Sequence, residues 1–209
     1  PEAGINIYHK GFWPLNIQVN KKKIIVVGAG PAGMMASIRA SQLHQGVILI
    51  EKNSSPGKKL LLSGKGRCNL TNACDLDAFI QRFSGNGQFL RDAFKKFFNQ
   101  DLMDFFESRG LKLKTERQLR VFPVSDKANS ILEVLQNELA KNKVEAIYKR
   151  QVKDIVVESK QVKAVLLSDG SSLAADKVIL ATGGLSYSFT GSTGDGINIA
   201  RKAGHNIAP

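Results

Sequence analysis

The stretch Lys23-Ile24-Ile25-Val26-Val27-Gly28-Ala29-Gly30-Pro31-Ala32-Gly33 decides how this chain is read. Its first part is a short apolar run rich in β-branched residues, the pattern of a parallel strand buried on both faces. Its second part is a glycine turn. Ala32, Met35, Ala36, Ala40 and Leu43 then recur at roughly helical spacing. Pro31 falls on the first helical position, where its missing N–H costs nothing. A second apolar run, Val47-Ile48-Leu49-Ile50, ends on Glu51. Strand, glycine turn, helix, strand and acid together make a mononucleotide-binding βαβ unit.

A G-x-G-x-x-G turn alone is a weak signal, and its context gives it weight. A strand precedes it, a helix follows it, and Glu51 stands 18 positions past the third glycine. Gly28 permits the tight turn, Gly30 lets a pyrophosphate approach the backbone, and Gly33 lets helix and strand pack closely. The helix start offers free N–H groups and a positive dipole end to phosphates. Glu51 is expected to accept hydrogen bonds from an adenosine ribose. That choice favours FAD or NAD over NADP, whose 2′-phosphate would meet a negative charge.

Outward from this unit the chain is less regular. Residues 52–74 read as a loop rich in Gly, Lys and Ser, with four cations (Lys58, Lys59, Lys65, Arg67) within ten residues. Such a loop suits a dinucleotide's phosphates and can present N–H donors to a flavin ring. Leu60-Leu61-Leu62 inside it argues for a packed loop rather than a free one. Residues 75–110 carry eight of the eleven Phe. Leu76, Phe79, Ile80 and Phe83 fit one helical face, and Phe89, Leu90, Ala93, Phe94, Phe97 and Phe98 fit a second. A third short helix is expected to end at Gly110. Core packing of a helical excursion is the preferred reading of these aromatics.

Two short strands are expected within 111–122, and Ala128, Ile131, Leu132, Leu135 and Leu139 predict a helix over about 126–141. Strand-like runs follow at 144–148, 152–158 and 161–167, with a turn at Asp169-Gly170. They fit a small β-meander inserted before the buried strand Lys177-Val178-Ile179-Leu180. That strand runs into Ala181-Thr182-Gly183-Gly184, small residues that let backbone approach a ligand closely. Turn, meander and small-residue strand end together separate an FAD domain from a simple NAD domain. Thr190-Gly191-Ser192-Thr193-Gly194-Asp195-Gly196 opens a last helix, expected from about Gly196 to Ala203. It reads equally as a cofactor contact and as a helix start with Asp195 as N-cap.

Composition bounds the rest. Of 209 residues 43% are hydrophobic, enough for a real core. No apolar run reaches the ~18 residues of a membrane span, and no signal peptide is evident, so a cytoplasmic, non-membrane protein is expected. The net charge is +12, from 30 Lys+Arg against 18 Asp+Glu. Its spread along the chain weighs against a nucleic-acid surface and fits an anionic cofactor. Cys68 and Cys74 match neither a disulfide scaffold nor a zinc pattern. Structural or flavin-adjacent thiols are expected there rather than a catalytic dithiol. His44 and His205 have no evident partner and His9 lies in the N-terminal stretch, so no acid or base is assigned. Residues 1–20 read as a poorly ordered extension and 21–209 as the binding domain. The start at Pro1 and the stop soon after a helix suggest a fragment or processed form.

Three motifs carry a resemblance: GAGPAG at 28–33, SGKGRCNLTN at 63–72, and ATGG with TGSTGDG at 181–196. In their order and spacing the chain resembles the bacterial BaiN/RdsA-like family of NAD(P)/FAD-dependent oxidoreductases, also called aminoacetone oxidase family FAD-binding enzymes. Ser188 and Ile197 depart from that family's pattern, which has Pro and an aromatic residue there. The resemblance implies an α/β, Rossmann-like FAD domain of the glutathione-reductase type: parallel sheet, helical excursion and β-meander. It implies a longer protein that continues into an inserted β-rich domain and returns to complete the flavin site. It implies FAD, with NADH or NADPH as donor, a small-molecule substrate and hydride transfer at the flavin. The cofactor-contacting residues it then points to are Gly28, Ala29, Gly30, Pro31, Ala32 and Gly33 of the turn; Glu51 and Lys52; Lys59, Leu60, Ser63, Gly64, Arg67, Cys68, Asn69 and Thr71; Val152; and Ala181, Thr182, Gly183 and Gly184. An FAD-dependent tRNA-modifying enzyme, or a dinucleotide-binding module without turnover, are the other readings.

Overall fold

Parallel pairing around Lys23–Val27 organises the chain. The computed structural model describes residues 22–43, 46–83 and 85–207. The expected N-terminal extension, with His9, and His44 lie outside the described residues. Strand β1 (Lys23–Val27) leads into α1 (Pro31–Gln42) and β2 (Gly46–Ile50). Next come α2 (Lys58–Leu62), β3 (Thr71–Asn72), α3 (Leu76–Gln81), α4 (Arg91–Phe94) and α5 (Asn99–Glu107). Strands β4 (Leu113–Glu116) and β5 (Arg120–Pro123) precede α6 (Ala128–Lys141) and β6 (Glu145–Ile147). Strands β7 (Val152–Glu158), β8 (Gln161–Leu167), β9 (Ser172–Ala174) and β10 (Lys177–Leu180) follow, and α7 (Asp195–Lys202) comes last.

The main sheet has the order β10-β1-β2-β6, all parallel. Strand β1 sits inside it, so alternate residues meet different layers. Val26 and Leu49 pack with Met34 and Ile38 of α1 and Ile131 and Leu135 of α6. Ile25, Val27 and Ile50 pack on the other face against Val152, Val165, Leu167 and Ile199. That second layer is the expected meander, a three-stranded antiparallel sheet β7-β8-β9, joined by Ile199 of α7. A third small sheet, β3-β5-β4, stands beside the helices.

Five expectations are corrected. The strand Lys177–Leu180 is not buried: it forms one edge of the parallel sheet, and its residues are half-buried or exposed. Residues 52–74 are not one loop: Leu60 is buried against the helical layer, and this folds Lys58–Leu62 into a helical turn behind left-handed Gly57 (φ +69°). The run 144–148 is no part of the meander. It supplies β6, whose Ala146 pairs with Leu49 at the outer edge of the parallel sheet. The final helix begins at Asp195 with Gly194 as its N-cap, so Asp195 is not the cap. The aromatic excursion packs only in part. Phe79, Phe83, Phe94 and Phe98 form a ring cluster with centroids 5.2–6.2 Å apart, whereas Phe89 is 88% exposed. The break at 85–87 shortens the second helix to Arg91–Phe94, and Phe89 falls before it in a 3-10 turn, with its side chain exposed.

Candidate functional site

The glycine turn is built by contact between backbones. At Gly33 a Cβ would lie 1.8 Å from the Gly28 carbonyl oxygen, so only glycine lets α1 start this close to β1. Gly28 has φ +103°, and a Cβ there would meet the Ala181 carbonyl oxygen at 2.6 Å. Gly30 differs from both: no atom lies within 4 Å of the place its Cβ would take, so the turn opens to a neighbouring hollow there. Met34 is the first helical amide with a partner, donating to Gly30 O at 2.9 Å. The amides of Ala32 and Gly33 ahead of it are the open donors that a helix start leaves.

That hollow has a volume of about 260 Å³, just below the roughly 300–1,000 Å³ of ligand sites. Gly28, Gly30, Pro31 and Ala32 form one wall, Glu51 and Lys52 a second, and Ala181, Thr182 and Gly183 a third. Val152, at the start of the meander, and Lys59 complete the expected residues around it. Ala29 and Gly33 stand behind the wall as packing residues, both buried. The hollow is also lined by Asn53, Lys58, Arg150, Gln151, Thr190, Gly191, Ser192 and Asp195. Of these the 190–196 turn is visible in the sequence as a Gly/Ser/Thr cluster. Asn53 carries no local signal, yet it links three groups. Its side chain donates to Glu51 Oε1 (2.7 Å) and to Thr190 O (3.1 Å), and accepts from Lys58 Nζ (3.0 Å).

Glu51 is 8% exposed and well supplied with donors. Oε2 accepts from Ala29 N at 2.7 Å, and Oε1 accepts from the Asn53 backbone N at 2.8 Å besides its side chain. A carboxylate has about four acceptor sites, so room for a further hydroxyl remains. Its charge, after burial as the larger cause, also pushes the Tyr148 phenol up. Lys52 donates to Asp195 (2.8 Å) and Thr193 Oγ1 (2.6 Å), and Lys59 to Ser186 O (2.7 Å). Both lysines thus tie the 186–195 segment to the end of β2 and to α2. Burial acts to raise the Asp195 carboxyl, but hydrogen bonds from Lys52 and Thr193 outweigh it and hold the group below the usual range.

The other expected residues stand apart from this hollow. Leu60, Ser63, Cys68 and Asn69 line a second one of about 330 Å³, with Met35, Phe106 and Ile131 among its apolar walls. The two hollows share Pro31 and Lys59. Gly64, Arg67, Thr71 and Gly184 line neither. Thr71 pairs with Val121 in the small sheet. The 63–69 loop uses its own amides internally: Arg67 N donates to Gly64 O (3.3 Å) and Cys68 N to Ser63 O (3.0 Å). The expected presentation of N–H donors is therefore not available from these two residues. Cys68 and Cys74 are both free and buried. Burial pushes the Cys68 thiol up, with a Ser63 hydrogen bond opposing it, which keeps it a protonated, weakly reactive group at neutral pH. No described helix is long and apolar enough to cross a membrane.

Comparison with known proteins agrees with this architecture. The chain is 36% identical over 189 residues to the 3-dehydro-bile acid delta(4,6)-reductase of Clostridium scindens, covering 90% of this chain and 45% of that protein. It is 33% identical over 186 residues to the ribosomal RNA dihydrouridine synthase of Escherichia coli, covering 88% and 45%. The chain thus spans about half the length of the curated relatives it matches. Among solved structures, the 3-ketosteroid-delta4-(5alpha)-dehydrogenase of Rhodococcus jostii RHA1 has the same fold, with a TM-score of 0.70 at 18% identity over 90% of this chain and 55% of that one. Residues 22–209 match the HI0933-like protein Rossmann domain, and the chain belongs to that family.

Proposed function

We propose that this chain is the dinucleotide-binding part of an FAD-dependent oxidoreductase. The observation that carries the reading is the open side of Gly30, facing a hollow that Glu51 and Ala181–Gly183 also line. The residues fit the adenosine diphosphate half of the cofactor. The free amide of Ala32 and the N-terminus of α1 would hold the pyrophosphate. Glu51 would take a ribose hydroxyl on its remaining acceptor site. Lys58, Lys59 and Arg150 set positive charge at the same hollow. The flavin end would pass Pro31 and Lys59 toward the 63–69 loop, since those two residues border both hollows.

FAD, when bound, supplies hydride transfer between a nicotinamide nucleotide and a small organic substrate. This chain's part is to bind, orient and shield. The 190–195 segment, tied down by Lys52 and Asn53, walls the hollow beside Glu51. The reductase relative supports a reduction as the reaction. The test is to denature the purified protein and identify the released cofactor by chromatography. FAD is expected, with bleaching of its visible bands by NADH or NADPH before denaturation. Release of NAD without flavin would sink the reading.

A second reading has its own support. The +12 charge and the 33% identity to a ribosomal RNA dihydrouridine synthase favour an FAD enzyme whose substrate is a base in RNA. RNA binding that weakens steeply with salt would support it, and no RNA binding at low salt would remove it.

A further inference from the structure

The 63–69 loop is bent by left-handed residues, and not all of them are glycine. Gly64 (φ +58°) and Gly66 (φ +85°) adopt this conformation freely, but Lys65 (φ +59°) and Cys68 (φ +60°) do so at a cost. Such strain persists only where the surroundings over-determine it. Backbone bonds from Arg67 N to Gly64 O and from Cys68 N to Ser63 O close the loop locally, and one side chain ties it to the rest of the fold. Arg67 donates to both oxygens of Glu116, Nη1 to Oε1 at 3.1 Å and Nη2 to Oε2 at 2.7 Å. Its Nη1 also lies 3.1 Å from Asp126 Oδ1. Its guanidinium lies over the Phe122 ring, 4.0 Å from the centroid. A Cβ on Gly64 would lie 2.7 Å from Asn69 N and 3.3 Å from Cε1 of that ring. Lys114 closes the cluster by pairing with Asp126 at 2.6 Å and Glu116 at 3.4 Å. Arg67 is thus turned toward the small sheet, while Ser63, Cys68 and Asn69 of the same loop line the second hollow.

We propose that Arg67 is a positioning residue, clamped by Glu116, Asp126 and Phe122, that sets the 63–69 loop to receive the flavin end of the cofactor. The proposal rests on FAD being the ligand. A bidentate, stacked guanidinium fixes both the position and the tilt of a loop, which an ammonium on a flexible stem does not. The adenosine hollow contains no residue of this loop, so the clamp acts on one half of the cofactor only.

The test is a titration of FAD and, separately, of ADP into wild type, Arg67→Met, Arg67→Lys and Glu116→Gln, with the visible spectrum of bound flavin recorded for each. Arg67→Met is expected to weaken FAD at least about tenfold and shift its bands, while ADP affinity changes less than about twofold. Glu116→Gln should do the same to a smaller degree, and Arg67→Lys should restore only part of the loss. Equal losses for FAD and ADP would reduce the clamp to general stability and overturn the inference, as would unchanged FAD affinity and spectrum. Should Arg67→Met not fold, Glu116→Gln and Arg67→Lys carry the same comparison. Wild type that binds ADP but not FAD would overturn the proposed cofactor itself, which separates that failure from failure of the clamp.

Discussion

The glycine turn at 28–33 and the loop at 63–69 both bend the chain through left-handed backbone, and only the loop adds a salt-bridged side chain to its backbone contacts. In the turn, backbone meets backbone: Gly28 against Ala181 and Gly33 against Gly28. In the loop, Lys65 and Cys68 hold unfavourable φ values, and Arg67 between them is salt-bridged to carboxylates far along the chain. A shape fixed by the absence of side chains needs only the right residue types in order. A shape fixed by a side chain needs partners, and Glu116 lies 49 residues from Arg67. The first kind needs no charge, whereas the second depends on charges and can be undone by acid.

The sharpest break in this comparison is expected at Gly33. A methyl group there overlaps the Gly28 carbonyl, so Gly33→Ala should lose about 3 kcal/mol or more, read from urea unfolding midpoints. Gly30→Ala, with open space around it, should stay within about 0.5 kcal/mol of wild type in the same experiment. Equal losses at the two positions would mean that the turn is not packed as described.

Glu51→Gln comes next. It removes the charge from hydrogen bonds to Ala29 and Asn53 and from the proposed ribose contact. FAD affinity should fall by about 1.5–3 kcal/mol, the worth of a charged hydrogen bond, as measured by flavin fluorescence. Unchanged affinity in a folded variant would place the ribose elsewhere.

Acid should separate the loop from the turn. The hydrogen bond from Arg67 is the main cause holding the Glu116 carboxyl below its ordinary range, against a smaller opposing effect of burial. Stability from a depressed carboxyl is present above its unfolded value, about 4.3, and is lost as pH falls through the lower folded value. Unfolding midpoints between pH 6 and pH 3 should therefore fall more for wild type than for Glu116→Gln. Parallel curves would show that the clamp contributes nothing to stability.

The smallest effect concerns the thiols. Cys68 and Cys74 should both resist a thiol reagent at neutral pH in the folded protein and both react in denaturant. Absence of two reactive thiols after unfolding, without reductant, would reveal a disulfide.

The same contrast explains what the residue order discloses. The βαβ unit, the meander and α6 follow from local patterns, because buried strands and amphipathic helices write their period into neighbouring residues. The three walls of the hollow beside Gly30 are legible for the same reason, since each is a glycine turn or a strand end. Asn53 is not legible, because its partners are Glu51 beside it and Thr190 far along the chain. Neither is the role of Arg67, whose charge suggests a phosphate contact until the carboxylates of the small sheet are in view. The place of Glu145–Ile147 is hidden for a related reason. Three residues suit an antiparallel hairpin as well as a parallel edge, and only pairing with Ile48–Ile50 decides between them.

Gly30 is the proposed point where the cofactor meets the backbone. Titrating FAD into wild type and Gly30→Val, with thermal melting recorded for both, tests it directly. The prediction is at least about a hundredfold weaker binding in the variant, with a melting temperature within a few degrees of wild type. Equal FAD affinity in a folded Gly30→Val protein would contradict the account, because the hollow at that turn would then not be where the dinucleotide binds.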